Sequence, residues 1–496
     1  MEQALPPPKS PHHDRRWLIL GVIGIAQLMV VLDVTIVNIA LPSAQVDLGF
    51  SDESRQWVIT AYALAFGSLL LLGGKVSDLI GRKWTFIAGL LGFAGASAIG
   101  GAAPSFEVLV GARALQGAFA ALLAPAALSI VTTTFTDPDE RAKAFGIYGA
   151  IAGSGAAVGL LLGGFLTELL SWRWTMYVNM AFAVPAAAAG FQLLVNQRPA
   201  ERPRIDVPGA LVATSGLFAV VYGFANAEMD GWGAPLTVAM LAFGVVAMAG
   251  FVALERRVAN PLLPLEVVRD RNRGGAFLAI VIVGVATFAT FLFLTYYLQQ
   301  NLGFSPIETG VAYLPMVAMI MVAATTSSTR LLPRVGPRPL VPTGLALAAA
   351  GATYLTGIEV GSSYAGAVLP GIMVMGLGFG VIMAPSFATA TRGVAPGDAG
   401  VASALVNTSQ QVGGSLGVAL LSTLFASAVS DFVPAAGTPV ALAQAEAAVH
   451  GSTVVFWWAA GILAAGSIVT ALLFERGQAA VPGAAAAELE PAPARS

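Results

Sequence analysis

The sequence predicts an all-α membrane protein: fourteen transmembrane helices, arranged as two six-helix repeats with a two-helix insertion between them. Three observations carry that expectation. Of 496 residues, 56% are hydrophobic and only 10% charged, whereas soluble globular proteins are roughly one-quarter charged. The apolar residues fall in runs of about 20, the length a helix needs to cross the hydrocarbon core, and at that length only helices satisfy their own backbone in lipid. Lys and Arg collect on alternate connections, as the positive-inside bias requires.

The same composition excludes a soluble enzyme of ordinary make-up and a disordered chain. A net charge of −2 gives no reason to expect a nucleic-acid partner. There is no cysteine, which excludes disulfides, thiolate catalysis and cysteine-held metals. The three histidines, His12, His13 and His450, lie outside the apolar runs, so neither a histidine metal site nor a histidine proton relay is expected in the membrane. No metal or organic cofactor is called for.

Along the chain, Met1 to Arg16 is polar and Pro-rich. The run after it is too long for a signal-peptide core and has no Ala-x-Ala site, so the first span, 17–41, is read as a retained helix. Further spans are expected at 55–74, 84–103, 107–132, 143–167 and 174–195, then 207–226 and 234–254. The last six fall at 274–298, 307–328, 339–357, 364–390, 399–427 and 452–474. Asp137-Pro138-Asp139-Glu140 and Ser305-Pro306-Ile307-Glu308 are helix-start signals ahead of the fifth and tenth spans. They make Glu308 a capping carboxylate in preference to a proton site. Gly477 to Ser496 is an Ala/Pro/Glu tail, expected to be disordered. With the N-terminus inside, 22 of the 25 Lys and Arg residues fall on the cytoplasmic side; Arg55 and Arg173 fall outside and Arg113 within a span. Both termini are therefore expected in the cytoplasm.

Two stretches recur after about 260 residues. Leu123-Ala124-Pro125 ends the fourth span and Met383-Ala384-Pro385 the twelfth, each followed by a polar turn and a glycine-studded helix. The turn Gly74 to Lys83 is echoed by Thr329 to Arg338. The order of the two echoes divides the chain into a tail (1–16), a six-helix bundle (17–198), a two-helix insertion (199–260), a second six-helix bundle (261–476) and a tail (477–496). Repeated halves are the usual build of alternating-access transporters.

Asp33 is the sharpest chemical signal, because a carboxylate inside a span is costly and by default functional. It lies eight residues, about 12 Å, from the predicted outer end of its span. Arg113 lies about 9 Å from the outer end of the fourth span, so two opposite charges share a depth. A static structural ion pair is the plainer alternative. Gly155, Gly159, Gly163 and Gly164 leave a bare stripe on the fifth helix, open to close approach by a neighbour. Candidate cavity groups are Gln27, Asn38, Tyr62, Gln116, Asn179, Asn407 and Gln411; each would serve equally as interhelical hydrogen-bond glue.

These motifs resemble the major facilitator superfamily, and within it the fourteen-helix drug:proton antiporter branch, over about residues 17–474. Gly74, Asp78, Gly81, Arg82 and Lys83 are similar to its cytoplasmic conformational motif. Arg113-Ala114-Leu115-Gln116-Gly117 is similar to its fourth-helix proton-coupling motif, and the glycine stripe to its antiporter motif. Leu32 to Pro42 resembles the branch's first-helix motif, and Trp172-Arg173-Trp174 with Asn179 its sixth-helix start. Leu79 stands where a basic residue is common, and Leu160 where proline is usual. The resemblance implies a proton-driven exporter of amphipathic small molecules such as drugs or antibiotics, monomeric in the cell membrane, with the proton as its coupling ion. A proton-coupled exporter of an endogenous metabolite or lipid-like compound is the second reading. A membrane-embedded transferase is the third; the outer stretch 428–451 shows no cluster of catalytic groups for it.

The parse is testable at Asp230, expected on the outside between the seventh and eighth spans. In this cysteine-free chain, Asp230→Cys should react with an impermeant thiol reagent on intact cells. Labelling only after the cells are opened would reject the fourteen-span arrangement.

Overall fold

The computed structural model describes residues 15–51, 54–135, 137–196, 206–258, 263, 265–392, 394, 399–435 and 437–475. Both predicted tails, apart from Arg15 and Arg16, and the linker segments 197–205 and 259–262 lie outside them.

Among the described residues fourteen long helices carry the fold, and each predicted span falls on one. The first six are α1 (Arg16–Leu48), α2 (Trp57–Ile80), α3 (Arg82–Gly101), α4 (Phe106–Thr134), α5 (Pro138–Leu169) and α6 (Trp174–Leu193). Next come α7 (Val207–Asp230) and α8 (Pro235–Glu255). The last six are α9 (Arg271–Tyr296), α10 (Pro306–Thr326), α11 (Pro337–Leu355), α12 (Leu369–Thr391), α13 (Ala399–Ser430) and α14 (Val440–Leu473). Short π-helical turns extend α9 and α10 and precede α12. Ten of the helices are long and apolar enough to cross a membrane; α2, α5 and α7 hold shorter apolar stretches. The chain is thus a multi-pass membrane protein.

Several boundaries differ from expectation. The first span was expected to stop before Pro42, yet α1 runs through it to Leu48 and closes on Gly49 at φ +68°, in the left-handed region. An interior proline forfeits one backbone hydrogen bond, and packed membrane helices absorb that loss; Pro125, Pro185, Pro315, Pro342 and Pro385 are also interior to helices. The outer stretch 428–451 is largely helical, with only 431–439 between α13 and α14. Asp137 Oδ1 accepts from the Glu140 amide at 3.0 Å. Ser305 and Glu308 form the reciprocal capping box, which accounts for the Glu308 carboxylate.

The two halves repeat one packing scheme. In the first half α1 packs on α5 and α6, α4 on α2 and α3, and α3 on α6. In the second α9 packs on α13 and α14, α12 on α10 and α11, and α11 on α14. The halves meet along α5–α10 and α2–α13. At the end of the bundle away from the chain termini they are bonded: Tyr296 donates to Gln45 Oε1 (2.6 Å), Gln299 to the Ile39 carbonyl (3.2 Å) and the Ile307 amide to Glu168 Oε2 (3.1 Å). Arg55, read from sequence only as an outside charge, is 3% exposed and lies 3.9 Å from the Tyr296 ring centre. Helix α7 packs on α2 and α13, with Thr214 donating to the Ser68 carbonyl, and α8 packs on α7.

Glycine sets the closest crossings. A Cβ on Gly117 of α4 would lie 2.2 Å from the Tyr62 carbonyl oxygen of α2, whereas one on Gly111 of the same helix would meet nothing within 4 Å. Gly117→Val should therefore cost about 1–3 kcal/mol in overpacking, seen as a lower Tm in detergent. Gly111→Val should leave Tm near wild type. Equal effects at the two positions would show that the crossing does not depend on the missing side chain.

Candidate functional site

Asp33, Arg113, Gln116 and Asn179 converge on one point in the first half. Asp33 is 0% exposed and Arg113 2%. The Arg113 guanidinium donates through Nη1 to Asp33 Oδ2 at 2.6 Å, so the two charges matched in depth are an ion pair. Gln116 Nε2 (3.0 Å) and Asn179 Nδ2 (2.7 Å) both donate to Asp33 Oδ1. Four helices supply the cluster: α1 the carboxylate, α4 the guanidinium and one amide, α6 the other amide, and α3 a hydroxyl. That hydroxyl is Ser97, whose Oγ accepts from Gln116 (3.1 Å) and Asn179 (3.0 Å) and donates to the Met176 carbonyl (2.7 Å). Sequence reasoning missed Ser97, because a serine in a span carries no signal until its neighbours are known.

Local geometry explains why these side chains meet. Arg113 and Gln116 are three residues apart and share a face of α4, and Gln116 Oε1 accepts from the guanidinium at 2.9 Å. Gly117 lets α4 close on α2, so Arg113 Nε reaches the Val58 carbonyl at 3.0 Å. The Tyr62 ring then lies 4.5 Å from the guanidinium carbon. With α1 extended past Pro42, Asp33 is fifteen residues, about 22 Å, from the helix end. It nevertheless stands level with Arg113, seven residues into α4, because α1 overshoots its neighbours.

The glycine stripe packs against the helix that bears Asp33. A Cβ on Gly155 would lie 3.1 Å from Val31, on Gly159 3.1 Å from the Leu32 carbonyl oxygen, and on Gly163 3.1 Å from the Ile36 carbonyl oxygen. Gly164 faces the second half instead, where its Cβ would lie 2.6 Å from the Pro306 carbonyl oxygen. Leu160, the departure from proline, is fully buried, and its carbonyl oxygen would sit 2.5 Å from a Cβ on Gly310.

In the turn, Gly81 has φ +101° between α2 and α3, which only glycine adopts readily. Lys83 Nζ donates to the Phe191 carbonyl at 2.6 Å. A Cβ on Gly74 would make only ordinary contact with Pro125; the close approach belongs to Gly73, where a Cβ would lie 2.0 Å from the Ala121 carbonyl oxygen. Arg82 is half-buried. The Asp78 side chain lies outside the described residues.

The other candidate cavity groups stand apart from this cluster. Gln27 Oε1 accepts from the Tyr148 hydroxyl. Asn38 bonds back to the Val34 carbonyl at 2.8 Å, a local helical contact. Asn407 and Gln411 lie on α13, where a Cβ on Gly67 of α2 would sit 3.4 Å from Gln411 Cβ, at the meeting of the halves. Trp172 and Arg173 staple the far end: both donate to Asp47 Oδ2, and Arg173 also to the Gly101 and Ala103 carbonyls at the end of α3.

Two repeated helical halves that meet along paired helices, with a buried carboxylate–guanidinium pair in one of them, define a membrane transporter. The model of the Major Facilitator Superfamily matches residues 23–418, and the chain belongs to that family. It is 51% identical over 481 residues to the puromycin resistance protein pur8 of Streptomyces alboniger, covering 96% of this chain and 95% of that protein. It is 37% identical over 422 residues to the cephamycin export protein CmcT of Amycolatopsis lactamdurans, covering 84% and 86%. A peptide transporter crystallised with sulfate shares the fold at TM-score 0.65 and 15% identity, over 91% of this chain and 93% of that one.

The ion pair predicts an asymmetric double-mutant cycle. Arg113→Met leaves Asp33 buried without its counter-charge and should cost about 3–5 kcal/mol, read as a fall in Tm. Adding Asp33→Asn should recover most of that loss. Additive losses would mean that the two residues act independently.

Proposed function

We propose that this protein exports amphipathic small molecules of the antibiotic kind across the cell membrane by alternating access, driven by protons moving the other way. The observation that carries the reading is the Asp33–Arg113 pair: a carboxylate held at 2.6 Å by a guanidinium inside the first half of a chain 51% identical to a puromycin resistance protein. Intramembrane carboxylates are the usual place for a transported proton to reside. Asp33 is the proton site, and Arg113 sets the electrostatic balance between its charged and neutral forms.

Both termini face the cytoplasm, supported by the 22 of 25 Lys and Arg residues on that side. The moving bodies are 17–198 and 261–476, supported by their matching helix pairing, and 199–260 rides beside them, supported by the packing of α7 on α2 and α13. The turn from Gly74 to Lys83 governs their relative movement, supported by the Gly81 hinge and the Lys83 anchor. Gly155, Gly159, Gly163 and Gly164 favour exchange over uptake by keeping α5 tight on α1 and α10. Substrate passes between the halves, where Asn407 and Gln411 line α13. Gln116, Asn179 and Tyr62 serve the proton site in preference to the drug. Gln27 and Asn38 are structural. The protein works as a monomer in the lipid bilayer, with no cofactor but the proton.

Cells with and without the protein, screened against puromycin and cephamycin and then a wider set, identify the substrate by raised resistance. In proteoliposomes with an imposed pH gradient, wild type should accumulate that substrate uphill and collapse the pH difference. Asp33→Asn, which cannot change charge, should reduce uphill accumulation to background while inserting normally. Equal uphill transport by Asp33→Asn would place the proton site elsewhere.

A further inference from the structure

We propose that Ser97 and Asn179 form a hydrogen-bond switch that receives the proton on Asp33; this rests on the reading of Asp33 as the proton site. The proton from water bonds to a lone pair of Oδ1, the carboxylate becomes neutral, and the Asn179 amide turns over so that its Oδ1 accepts the new O–H. On release the proton returns to water and the amide turns back.

The valences around Asp33 select this arrangement. Among the described residues the carboxylate is met only by donors: Arg113 at Oδ2, Gln116 and Asn179 at Oδ1. That shell suits a carboxylate, which is purely an acceptor, and opposes a carboxylic acid, which must donate once. One neighbour must therefore offer an acceptor when the proton arrives. Arg113 cannot, because a guanidinium has no acceptor, so a proton on Oδ2 would face a donor permanently. Gln116 is locked, because its Oε1 already accepts from Arg113 at 2.9 Å and turning it would set an NH2 group against the guanidinium. Asn179 is 0% exposed and its Oδ1 has no partner among the described residues. It is the one amide free to present an oxygen to Asp33.

Ser97 gives the Asn179 atom that faces it a partner in both settings. With its proton on the Met176 carbonyl, its Oγ has lone pairs for the Asn179 and Gln116 amides. When Asn179 turns, the hydroxyl can swing its proton from Met176 to Asn179 Oδ1. A hydroxyl is donor and acceptor at one atom, and no apolar residue can replace it in both settings. Ser97 is thus a positioning residue, acting on Asp33 through Asn179. The charged and titratable groups facing Asp33 are Arg113 from α4 and Tyr62 from α2; α3 and α6 present Ser97 and Asn179, and α5 its glycines.

Infrared difference spectroscopy of the whole protein in lipid, with the proton alone as ligand, tests this. Acidification should raise a carboxylic acid band that is lost in Asp33→Asn, together with a side-chain amide change that is lost in Asn179→Ala. If Asn179→Ala fails to insert, wild type grown with heavy-carbon asparagine should show the amide change displaced. Ser97→Ala should shift the carboxylic acid band and lose the amide change, and Ser97→Thr should restore both. A carboxylic acid band at Asp33 without an asparagine-dependent change, or Ser97→Ala spectra identical to wild type, overturns the switch and leaves Asp33 as the proton site. Absence of any Asp33-dependent band across the titration overturns the proton site itself, and the switch with it.

Discussion

A carboxylate cannot sit bare in an apolar bundle, and the first half of this protein is organised around meeting that requirement. Asp33 is reached by three donors from two helices, and two of those donors, Gln116 and Asn179, are held by Ser97 from a further helix. Each donor needs its helix close, and closeness in turn needs glycine. Gly117 brings α4 onto α2, and Gly159 brings α5 onto α1. The small residues and the polar residues are therefore two sides of one constraint. Lipid supplies no hydrophobic force between helices, so packing and polar links must hold them. The polar links form only where the backbones nearly touch.

Much of this was legible in the sequence, for a definite reason. Intramembrane charges are rare enough that Asp33 and Arg113 stand out singly, and matching them by depth needs only the helix rise. The glycine stripe announces itself by its spacing of four. The helices follow from hydropathy, and the repeat from two echoes in the same order. What stayed hidden needs a third coordinate. Ser97 is one serine in a span, Gly73 is one glycine beside the conspicuous Gly74, and Arg55 looks like an outside charge until α9 and α13 close over it. Residue type marks Gln27 and Asn38 as polar, but only contacts reveal that Tyr148 donates to Gln27 Oε1 and that Asn38 Nδ2 donates to the Val34 carbonyl. Pro42 misled by a soluble-protein rule, since membrane helices continue through proline where neighbours compensate.

The polar network is lopsided although the fold is not. The helices that correspond to α1, α3, α4 and α6 under the repeat are α9, α11, α12 and α14. Helix α12 carries no charged residue at all, the charges of α9 and α11 lie at their first residues, and α14 carries Glu446 in its second turn. The two halves share a packing scheme, and the buried ion pair lies in the first. Under the proposed mechanism, a change of charge in the first half must therefore be felt by a second half whose counterpart of α4 carries no charge.

Helix α5 is the element placed to carry that effect. Its Gly155, Gly159 and Gly163 lie against α1 on either side of Asp33, and the residue after Gly163 turns to the other half, against Pro306 and Ile307 at the start of α10. Gly159 and Gly164 are five residues apart, a rise of about 7.5 Å. At Gly159 and Gly163 the Thr35 and Ile36 side chains and the main chain of α1 sit directly on α5, and at Gly164 the main chain of α10 does the same. With no α5 side chain between them, a movement of α1 against α5 is passed toward α10. Close-packed contacts of this kind favour discrete arrangements over gradual deformation, which is the behaviour an alternating-access protein needs at the joint between its halves.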